Sequence, residues 1–235
     1  MHSTDDDKQC VQIGHVLYAL RESLAQLDTW YNTIPHLPKL SPAQFSPYPC
    51  QFKKDGTLFK FEYQSPLAVD TSCQAYLATL KNDSTQVVVK FVTVYGEEAH
   101  KVMADAGFAP KLLYYGPIQP GDLDNPLKMV IMEYVSVQDH AYMQGTKELE
   151  QQLPEIIDTL HAKGFMFGDL RLLNIVITDE GKVQLIDFDW AGEEHQARYP
   201  VSISTAIRWA DGVKGLGLIK KEHDWFMLEE LLMKS

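Results

Sequence analysis

Gly164–Ile177, with the sequence GFMFGDLRLLNIVI, decides the fold together with Leu185–Asp189, LIDFD, which follows shortly after it. The stretch opens on a glycine that ends a predicted helix, and a tight polar loop bracketed by apolar residues comes next. Two short apolar strands joined by a polar turn then predict a hairpin. The loop and the hairpin bring Asp169, Asn174 and Asp187 into a small volume, so the stretch offers three side chains that can handle a metal ion or a proton.

The spacing of these polar residues resembles the catalytic core of the protein-kinase-like fold. Asn174 lies five residues after Asp169, as in the kinase loop H-R-D-L-x-x-x-N, and Asp187-Phe188 stands where D-F-G belongs. The stretch is most similar to the H-G-D-L-x-x-x-N variant of fungal protein-kinase-like domains and of aminoglycoside- and choline-kinase-type phosphotransferases. The ending Asp187-Phe188-Asp189 resembles the I-D-x-D endings of small-molecule kinases.

This resemblance implies phosphoryl transfer, a reaction that needs an oriented nucleophile and cations held on the phosphates. It makes Asp169 the group that orients the acceptor hydroxyl or accepts its proton, and it makes Arg171 a catalytic cation for the γ-phosphate. Asn174 and Asp187 offer hard oxygen ligands for Mg²⁺, and Asp189 is a further candidate ligand. Taken singly, each of these residues could equally be a surface carboxylate or a turn residue; the ordered set favours the catalytic interpretation.

The segment from Thr57 to Val94 is rich in strand-like patterns and contains a lysine inside an apolar strand. The run Val87–Lys90 resembles the V-A-I-K strand whose lysine holds the α- and β-phosphates of ATP. An exposed lysine on an edge strand is the alternative, although a lone lysine in an apolar strand is costly unless paired or bound to an anion. Glu98, in the helix predicted to follow, is the expected partner of Lys90, and Glu97 is left open as the alternative.

The chain departs from the kinase pattern where the glycine-rich loop belongs. Residues Ala68–Ala75 contain no glycine, whereas glycine normally lets backbone N–H groups approach phosphate closely. The hydroxyls of Thr71 and Ser72 are the candidate phosphate ligands there, while Asp70 would repel phosphate. We expect weak nucleotide binding at this loop or a different path of the chain.

Two paired strands are predicted after the helix, and the second of them, Met129–Val135, resembles a kinase hinge. Met132 would be the gatekeeper, and the backbone of Glu133 and Val135 would contact adenine. Because main-chain recognition leaves little side-chain signature, this interpretation is positional.

Two further helices are predicted in the second half of the chain. Apolar residues at helical spacing indicate one helix over Lys147–Lys163, in which Pro154 should produce a kink or mark a new first turn. The last helix runs from His223 to about Met233. Asp224, by its distance from Asp187, is expected to bond the backbone of the catalytic loop.

The N-terminal region combines a helical pattern with a proline-rich run. Between Gln9 and Trp30 apolar residues recur at helical spacing and predict an amphipathic helix, expected to cover the core of the small lobe rather than to bind a partner: Val16, Leu17, Leu20, Leu24 and Leu27. Prolines from position 35 to position 49 then indicate an extended linker.

Composition excludes several classes of function. The net charge is -11 and no basic run occurs, which argues against nucleic acid or an anionic membrane as the main partner. Cys10, Cys50 and Cys73 are widely spaced and odd in number, which favours a reducing, cytoplasmic location over a disulfide framework. No apolar run reaches the length of a membrane span.

The sequence therefore predicts an α+β, two-lobed protein-kinase-like fold with a small antiparallel-sheet lobe and a truncated helical lobe. The expected organisation is an N-terminal helix and linker over residues 1–56, a small lobe over 57–135 and a helical lobe over 136–235. The expected function is an ATP- and Mg²⁺-dependent phosphotransfer to a hydroxyl of a protein Ser or Thr or of a small molecule. The alternative is a pseudokinase that acts as a nucleotide-binding or interaction module.

Overall fold

The structure is a computed structural model that describes residues 4–33, 47, 49–67, 75–119, 125–136 and 146–233. The chain divides into two compact units, Met1–Gln44 and Phe45–Ser235. The predicted phosphate ligands Thr71 and Ser72, and most of the proline-rich run, lie outside the described residues.

The first unit contains one helix, α1, which spans Thr4–Thr33 and so includes the predicted helix. Its large apolar side chains are exposed: Val11, Ile13, Val16, Leu17, Tyr18, Leu20, Leu24, Leu27 and Trp30. The expectation that this helix covers the small lobe stays a prediction. None of the helices within the described residues is both long and apolar enough to span a membrane.

A six-stranded antiparallel sheet begins the second unit. Its strands follow the order β1-β2-β3-β4-β6-β5 across the sheet, and they are β1 (Gln51–Lys54), β2 (Thr57–Pro66), β3 (Ala75–Leu80), β4 (Gln86–Val92), β5 (Leu112–Pro117) and β6 (Lys128–Glu133). The strand patterns of the sequence are confirmed for five strands. β1 was not predicted, because its residues, QFKK, hold one phenylalanine among polar residues and follow a run of prolines.

One helix interrupts the sheet, and it connects β4 to β5. This helix, α2, spans Glu97–Asp105 and has its two acidic residues in the first turn, where the helix dipole favours negative charge. The prediction of this helix is confirmed. Ala99, His100 and Met103 form its buried face.

The helical part of the second unit carries the loop quoted at the start. α3 spans Lys147–Ala162 and continues through Pro154, so of the two predicted alternatives a new first turn is wrong, and a kink at this proline stays a prediction. The chain then passes through Gly164, which has a φ of 82° that suits glycine. α4 spans Lys221–Met233 and packs against α3.

Four short strands surround the loop between α3 and α4. β7 (Phe165–Met166) pairs with β10 (Gly192–Glu193), while β8 (Ile175–Ile177) and β9 (Val183–Leu185) form the predicted antiparallel hairpin. All three residues of β8 are buried. The hairpin therefore sits in the core and fixes the residues at its two ends.

Two apolar clusters form most of the core. One covers one face of the sheet, and its largest members include Phe61, Met129 and Ile131. The other joins α2, α3, the hairpin and α4 around Met103, Phe167 and Phe188. Mixed helix and sheet with a small antiparallel-sheet lobe is the predicted fold class, which the structure confirms.

Candidate functional site

A buried carboxylate on α4 fixes the backbone of the loop that precedes Asp169. The N–H of Phe167 donates to Oδ2 of Asp224 at 2.9 Å, and the N–H of Gly168 donates to Oδ1 at 2.7 Å. Nε2 of His161 contacts the same Oδ2 at 2.8 Å. The predicted anchoring role of Asp224 is confirmed, and it takes up two backbone donors that would otherwise be buried without partners.

Gly168 allows the turn that presents Asp169. Its φ is 81°, in the region that favours glycine, and a Cβ there would lie 2.6 Å from Cδ1 of Ile219. Any other residue would therefore meet both backbone strain and a collision. The glycine of the sequence motif has a local physical cause, which is the close approach of the loop to Ile219.

Asp169 lies at the centre of a donor cluster and is only 5% exposed. The guanidinium of Arg171 donates two hydrogen bonds to its carboxylate, from Nε to Oδ1 and from Nη2 to Oδ2, each at 2.5 Å. Nδ2 of Asn174 donates to the backbone oxygen and to Oδ2 of Asp169, both at 2.9 Å. The predicted trio Asp169, Arg171 and Asn174 is thus joined directly, with the arginine fork on the carboxylate.

Lys90 meets two carboxylates that come from the segment after β9. Its Nζ lies 2.5 Å from Oδ1 of Asp187 and 2.7 Å from Oδ1 of Asp189, and its side chain is 12% exposed. The predicted meeting of a small-lobe lysine with Asp187 is therefore present.

The predicted ion pair between Lys90 and Glu98 is not formed, which corrects the sequence-based expectation. Glu97 and Glu98 both pair with Lys101, at 2.7 and 2.8 Å, because residues three and four apart share one face of a helix. That face is turned to solvent, and the side chain of Glu98 is 65% exposed.

The electrostatics of the cluster reflect one ammonium shared by two carboxylates. Burial lowers the pKa of Lys90, but the nearby charges of Asp187 and Asp189 outweigh it and raise that pKa above its ordinary value. For Asp189, burial and the charge of Asp187 raise the pKa to about 7, against the opposing effect of Lys90. A cation placed among these carboxylates would offset the excess negative charge.

The hairpin places Asn174 beside the start of the Asp187 segment. The N–H of Ile186 donates to the backbone oxygen of Asn174 at 2.9 Å. Asp187 itself has a φ of 66°, which is unusual for a residue other than glycine and is a feature that clusters at functional sites. The neighbouring strand pairing holds this strained residue in place.

The donor set suits a hard cation such as Mg²⁺, whose preferred ligands are oxygens. Asp187 and Asp189 supply carboxylates, and Asn174 could bind only through its amide oxygen because its nitrogen is committed to Asp169. Within the described residues, no three or more His, Cys, Asp or Glu side chains come together as a metal-binding group. The candidate set is accordingly two carboxylates and one carboxamide.

The predicted hinge residues lie where β6 leaves the sheet. Met132 is buried and pairs with Val88 of β4, and the N–H of Glu133 donates to the backbone oxygen of Lys111 at 3.0 Å. Adenine could therefore form a hydrogen bond with the backbone of Glu133 only through the carbonyl oxygen of Glu133, because its N–H is already used. Val135 follows the end of the strand and is half-buried.

Sequence reasoning did not single out His100, which holds the residue after Asp187. The His100 ring stacks on Phe188 with centroids 4.6 Å apart and planes 7° apart, and Phe167 meets Phe188 edge-on at 5.3 Å. The sequence signal for this role was a histidine among the apolar residues of α2. The helical spacing of those residues identifies His100 as a core position, but it does not identify Phe188 as the ring that His100 contacts.

Comparison with known proteins agrees with this architecture. No family model matches the chain. A protein named as a probable cAMP-dependent protein kinase catalytic subunit, from Encephalitozoon cuniculi, is 27% identical over 159 residues, which cover 60% of this chain and 49% of the relative. The chain thus spans about half the length of this curated relative.

Among solved structures, the kinase PK-1 of Cydia pomonella granulovirus matches with a TM-score of 0.56 at 18% identity, and the match covers 74% of this chain and 69% of that one. At this identity the likeness shows the fold. Together with the curated kinase relative, it supports the resemblance to the protein-kinase-like superfamily that the ordered residues of the loop indicate.

Proposed function

We propose that the protein is an ATP-dependent phosphotransferase that transfers the γ-phosphate to a hydroxyl group. The observation that supports this most is the contact of Lys90 with Asp187, because Lys90 lies in β4 of the sheet, Asp187 follows the β8–β9 hairpin, and the two are 97 residues apart in sequence. The same segment is joined through Asn174 to the buried Asp169. Along the chain, a lysine, a carboxylate, a carboxamide and a second carboxylate follow one another, and this set matches the needs of phosphoryl transfer.

Each side chain has a role in this proposal. Lys90 would hold the phosphates of ATP, and Asp169 would orient the acceptor hydroxyl or take its proton. Asn174 and Asp187, with Asp189 as a third candidate, would hold Mg²⁺, which neutralises phosphate charge when bound. The backbone at Glu133 and Val135, next to the gatekeeper Met132, would receive the adenine.

Arg171 must change partner for this chemistry to proceed. Its fork and the amide of Asn174 place three donors on the carboxylate of Asp169, which leaves little acceptor capacity for a substrate hydroxyl. The arginine side chain is one-third exposed, at 33%, so it can swing toward a bound phosphate. We propose that Arg171 releases Asp169 when the γ-phosphate enters and then neutralises that phosphate.

The acceptor is proposed only as a class. The name of the curated relative favours a protein hydroxyl, whereas the H-G-D-L-type loop and the I-D-x-D ending favour the small hydroxylated substrates of related phosphotransferases. A cytoplasmic location belongs to the same proposal, because ATP is available there and the cysteines form no disulfide pattern.

A pseudokinase is the second candidate, and two observations favour it. In the structure the carboxylate of Asp169, the proposed catalytic base, is paired with Arg171. Neither glutamate of the first turn of α2 pairs with Lys90, because both pair with Lys101. A protein fixed in this arrangement would bind nucleotide or a partner without transferring phosphate.

The test is ATP turnover by the intact chain with Mg²⁺, followed as ADP release and as autophosphorylation. We expect Asp169→Asn to lower the rate about 10²- to 10⁴-fold, the usual contribution of a positioned base, while the melting temperature with Mg²⁺ and ATP stays raised. Asp187→Ala should abolish that nucleotide-dependent rise. Glu62→Gln, at a surface pair with Lys81, is the matched control and should change neither quantity.

Two results would count against the proposal. If wild type and Asp169→Asn turn over ATP at the same background rate while both are stabilised by nucleotide, the protein is a nucleotide-binding pseudokinase. If Asp187→Ala and wild type show equal thermal shifts or none, the cleft does not bind Mg²⁺ and ATP at these residues.

A further inference from the structure

Both carboxylates that contact Lys90 belong to one short segment. Asp187 and Asp189 flank Phe188, and one carboxylate oxygen of each accepts a hydrogen bond from the ammonium of Lys90, at 2.5 and 2.7 Å. Asp187 is already assigned to the metal in the proposed function. Asp189 is there only a third candidate ligand, and its shortest described contact is with the ammonium of Lys90, which points to a different role for it.

The start of α2 cannot bring an acidic side chain to Lys90 from the position nearest the segment. That position is Gly96, whose N–H donates to the backbone oxygen of Phe188 at 2.8 Å. A Cβ on Gly96 would lie 2.4 Å from the oxygen and 2.8 Å from the carbon of the Ala191 carbonyl. The backbone of the segment occupies the space that a side chain on Gly96 would need.

The remaining contacts of α2 hold this arrangement in place. His100 stacks on Phe188 and bonds Tyr95 at 2.6 Å and the backbone oxygen of Pro110 at 2.7 Å. The helix is thus fixed against the segment by backbone, ring and hydrogen-bond contacts at once. Its glutamates point to Lys101 instead of the cleft.

We propose that Asp189 is the residue that positions Lys90 for nucleotide, in place of an acidic residue from α2. The claim that Lys90 is positioned for nucleotide rests on the proposed function, whereas the contact between Lys90 and Asp189 exists in the protein without nucleotide. The carboxylate of Asp189 holds the ammonium in the cleft beside Asp187. Lys90 is consequently oriented by the same segment that carries the candidate metal ligand, and not by movement of a helix.

The first experiment measures the reactivity of Lys90 in the nucleotide-free protein. The intact chain is labelled at pH 8 with an amine-acylating ester, and the rate at each lysine is read by mass spectrometry, with the exposed Lys81 and Lys182 as internal references. An ammonium held by two carboxylates must leave them before its amine can react, and loss of one charge-assisted hydrogen bond makes that release easier. We expect Asp189→Asn to speed labelling of Lys90 about tenfold, the factor that corresponds to one such bond, and Asp189→Glu to leave it within about threefold of wild type.

Two further variants sharpen this measurement. Glu98→Gln tests the helix glutamate that the sequence predicted as the partner, and we expect the rate at Lys90 to stay unchanged. Glu62→Gln is a surface control of the same chemical kind. Each variant is first checked for a cooperative unfolding transition, so that a change at Lys90 is read only in folded protein.

The second experiment separates positioning from metal binding through the kinetics of ATP turnover. We expect Asp189→Asn to raise KM for ATP about tenfold, the loss expected when a charge-assisted contact is removed, with the Mg²⁺ dependence unchanged and with rescue by Asp189→Glu. Asp187→Asn should instead raise the Mg²⁺ requirement.

The outcomes distinguish the inference from the proposed function. Unchanged labelling of Lys90 in Asp189→Asn, or faster labelling in Glu98→Gln, overturns the inference whatever the activity. A raised Mg²⁺ requirement in Asp189→Asn without a change in labelling makes Asp189 a metal ligand and also overturns it. If labelling responds as expected while wild type shows no ATP turnover, the Lys90–Asp189 contact is upheld and only phosphotransfer fails.

Discussion

His100 is a histidine with no exposed surface, and both of its ring nitrogens are engaged. Nε2 faces a backbone oxygen, that of Pro110, which can only accept, so this nitrogen carries the proton. Nδ1 is then the acceptor for the hydroxyl of Tyr95. Burial lowers the pKa of His100 to about 4, and the ring therefore stays neutral while it stacks on Phe188.

This residue gives the protein a pH-dependent stability with a definite sign. Below pH 6.5 the unfolded chain binds a proton at His100, whereas the folded chain does so only near pH 4. The contribution of His100 to the free energy of unfolding should therefore fall as the pH drops from about 6.5 to about 4, by up to about 3 kcal/mol. Asp189, whose pKa is raised to about 7, contributes with the opposite sign over this range, so the effect of His100 is obtained as the difference between wild type and a His100 variant. Urea unfolding at several pH values measures it.

The variant His100→Gln supplies the comparison. It loses the ring contact and should be less stable than wild type at pH 8, but its stability should fall less steeply between pH 6.5 and pH 4. His15→Gln, at an exposed position of α1, is the control. Parallel curves for wild type and His100→Gln would show that the folded protein accommodates a protonated His100, against this account.

At the scale of elements, the loop between β4 and α2 and the segment after β9 behave as one unit. Gly96 has an ordinary φ of -83°, so its backbone angle does not require glycine. The requirement is space, because Ala191 lies against the position of a Cβ. A close backbone approach of this kind aligns the first turn of α2 with the residues that contact Lys90.

We expect Gly96→Ala to lower the free energy of unfolding by about 1–3 kcal/mol, the usual cost of forcing an extra methyl into packed surroundings. Gly14→Ala makes the same chemical change in a helix with nothing within 4 Å of the new methyl, and should be neutral or slightly stabilising. Denaturant unfolding followed by near-ultraviolet circular dichroism reports both. Equal stability of Gly96→Ala and wild type would mean that the two elements separate readily.

The same elements show which features the sequence could predict. Alternating apolar residues identified β2, because burial of one face imposes a period that is visible in the residues, and runs of apolar or β-branched residues identified β4, β6 and the β8–β9 hairpin. The order of Asp169, Asn174 and Asp187 identified the loop, because the chemistry needs those residue types at that spacing.

Other features depend on contacts that periodicity does not encode. Glu98 pairs with Lys101 rather than with Lys90 because it lies on the face of α2 that meets solvent. The sequence does not reveal which face that is, since Glu97 and Glu98 are adjacent and either could have faced Lys90. The double contact of Lys90 depends on the turn at Asp187, whose φ is positive although the residue is not glycine. The contact between Lys90 and Asp187, which are 97 residues apart in sequence, could be predicted only because both residues stand in motifs that imply it.

At the scale of the whole molecule, the sheet, the core clusters and the candidate site are all built from residues of the second unit. The strand partners, the anchor Asp224 and the Lys90 contacts fall between residues 45 and 235. The first unit contributes α1, whose large apolar side chains are exposed. A chain that begins at Phe45 therefore retains every described strand, both large core clusters and all the contacts described for the candidate site.

We therefore expect a chain that begins at Phe45 to fold cooperatively and to melt within about 2–4 °C of the full-length protein, the shift that 1 kcal/mol produces in a domain of this size. The matched control is the intact chain with Leu17→Glu and Leu24→Glu, which leaves the length unchanged and alters only α1. Calorimetry of the three proteins at one concentration gives the comparison. If α1 covers the small lobe, as its apolar spacing predicts, the truncated and the doubly substituted proteins should both melt well below wild type and to the same extent. Equal melting of all three proteins would instead leave the apolar face of α1 without a role in the stability of the second unit.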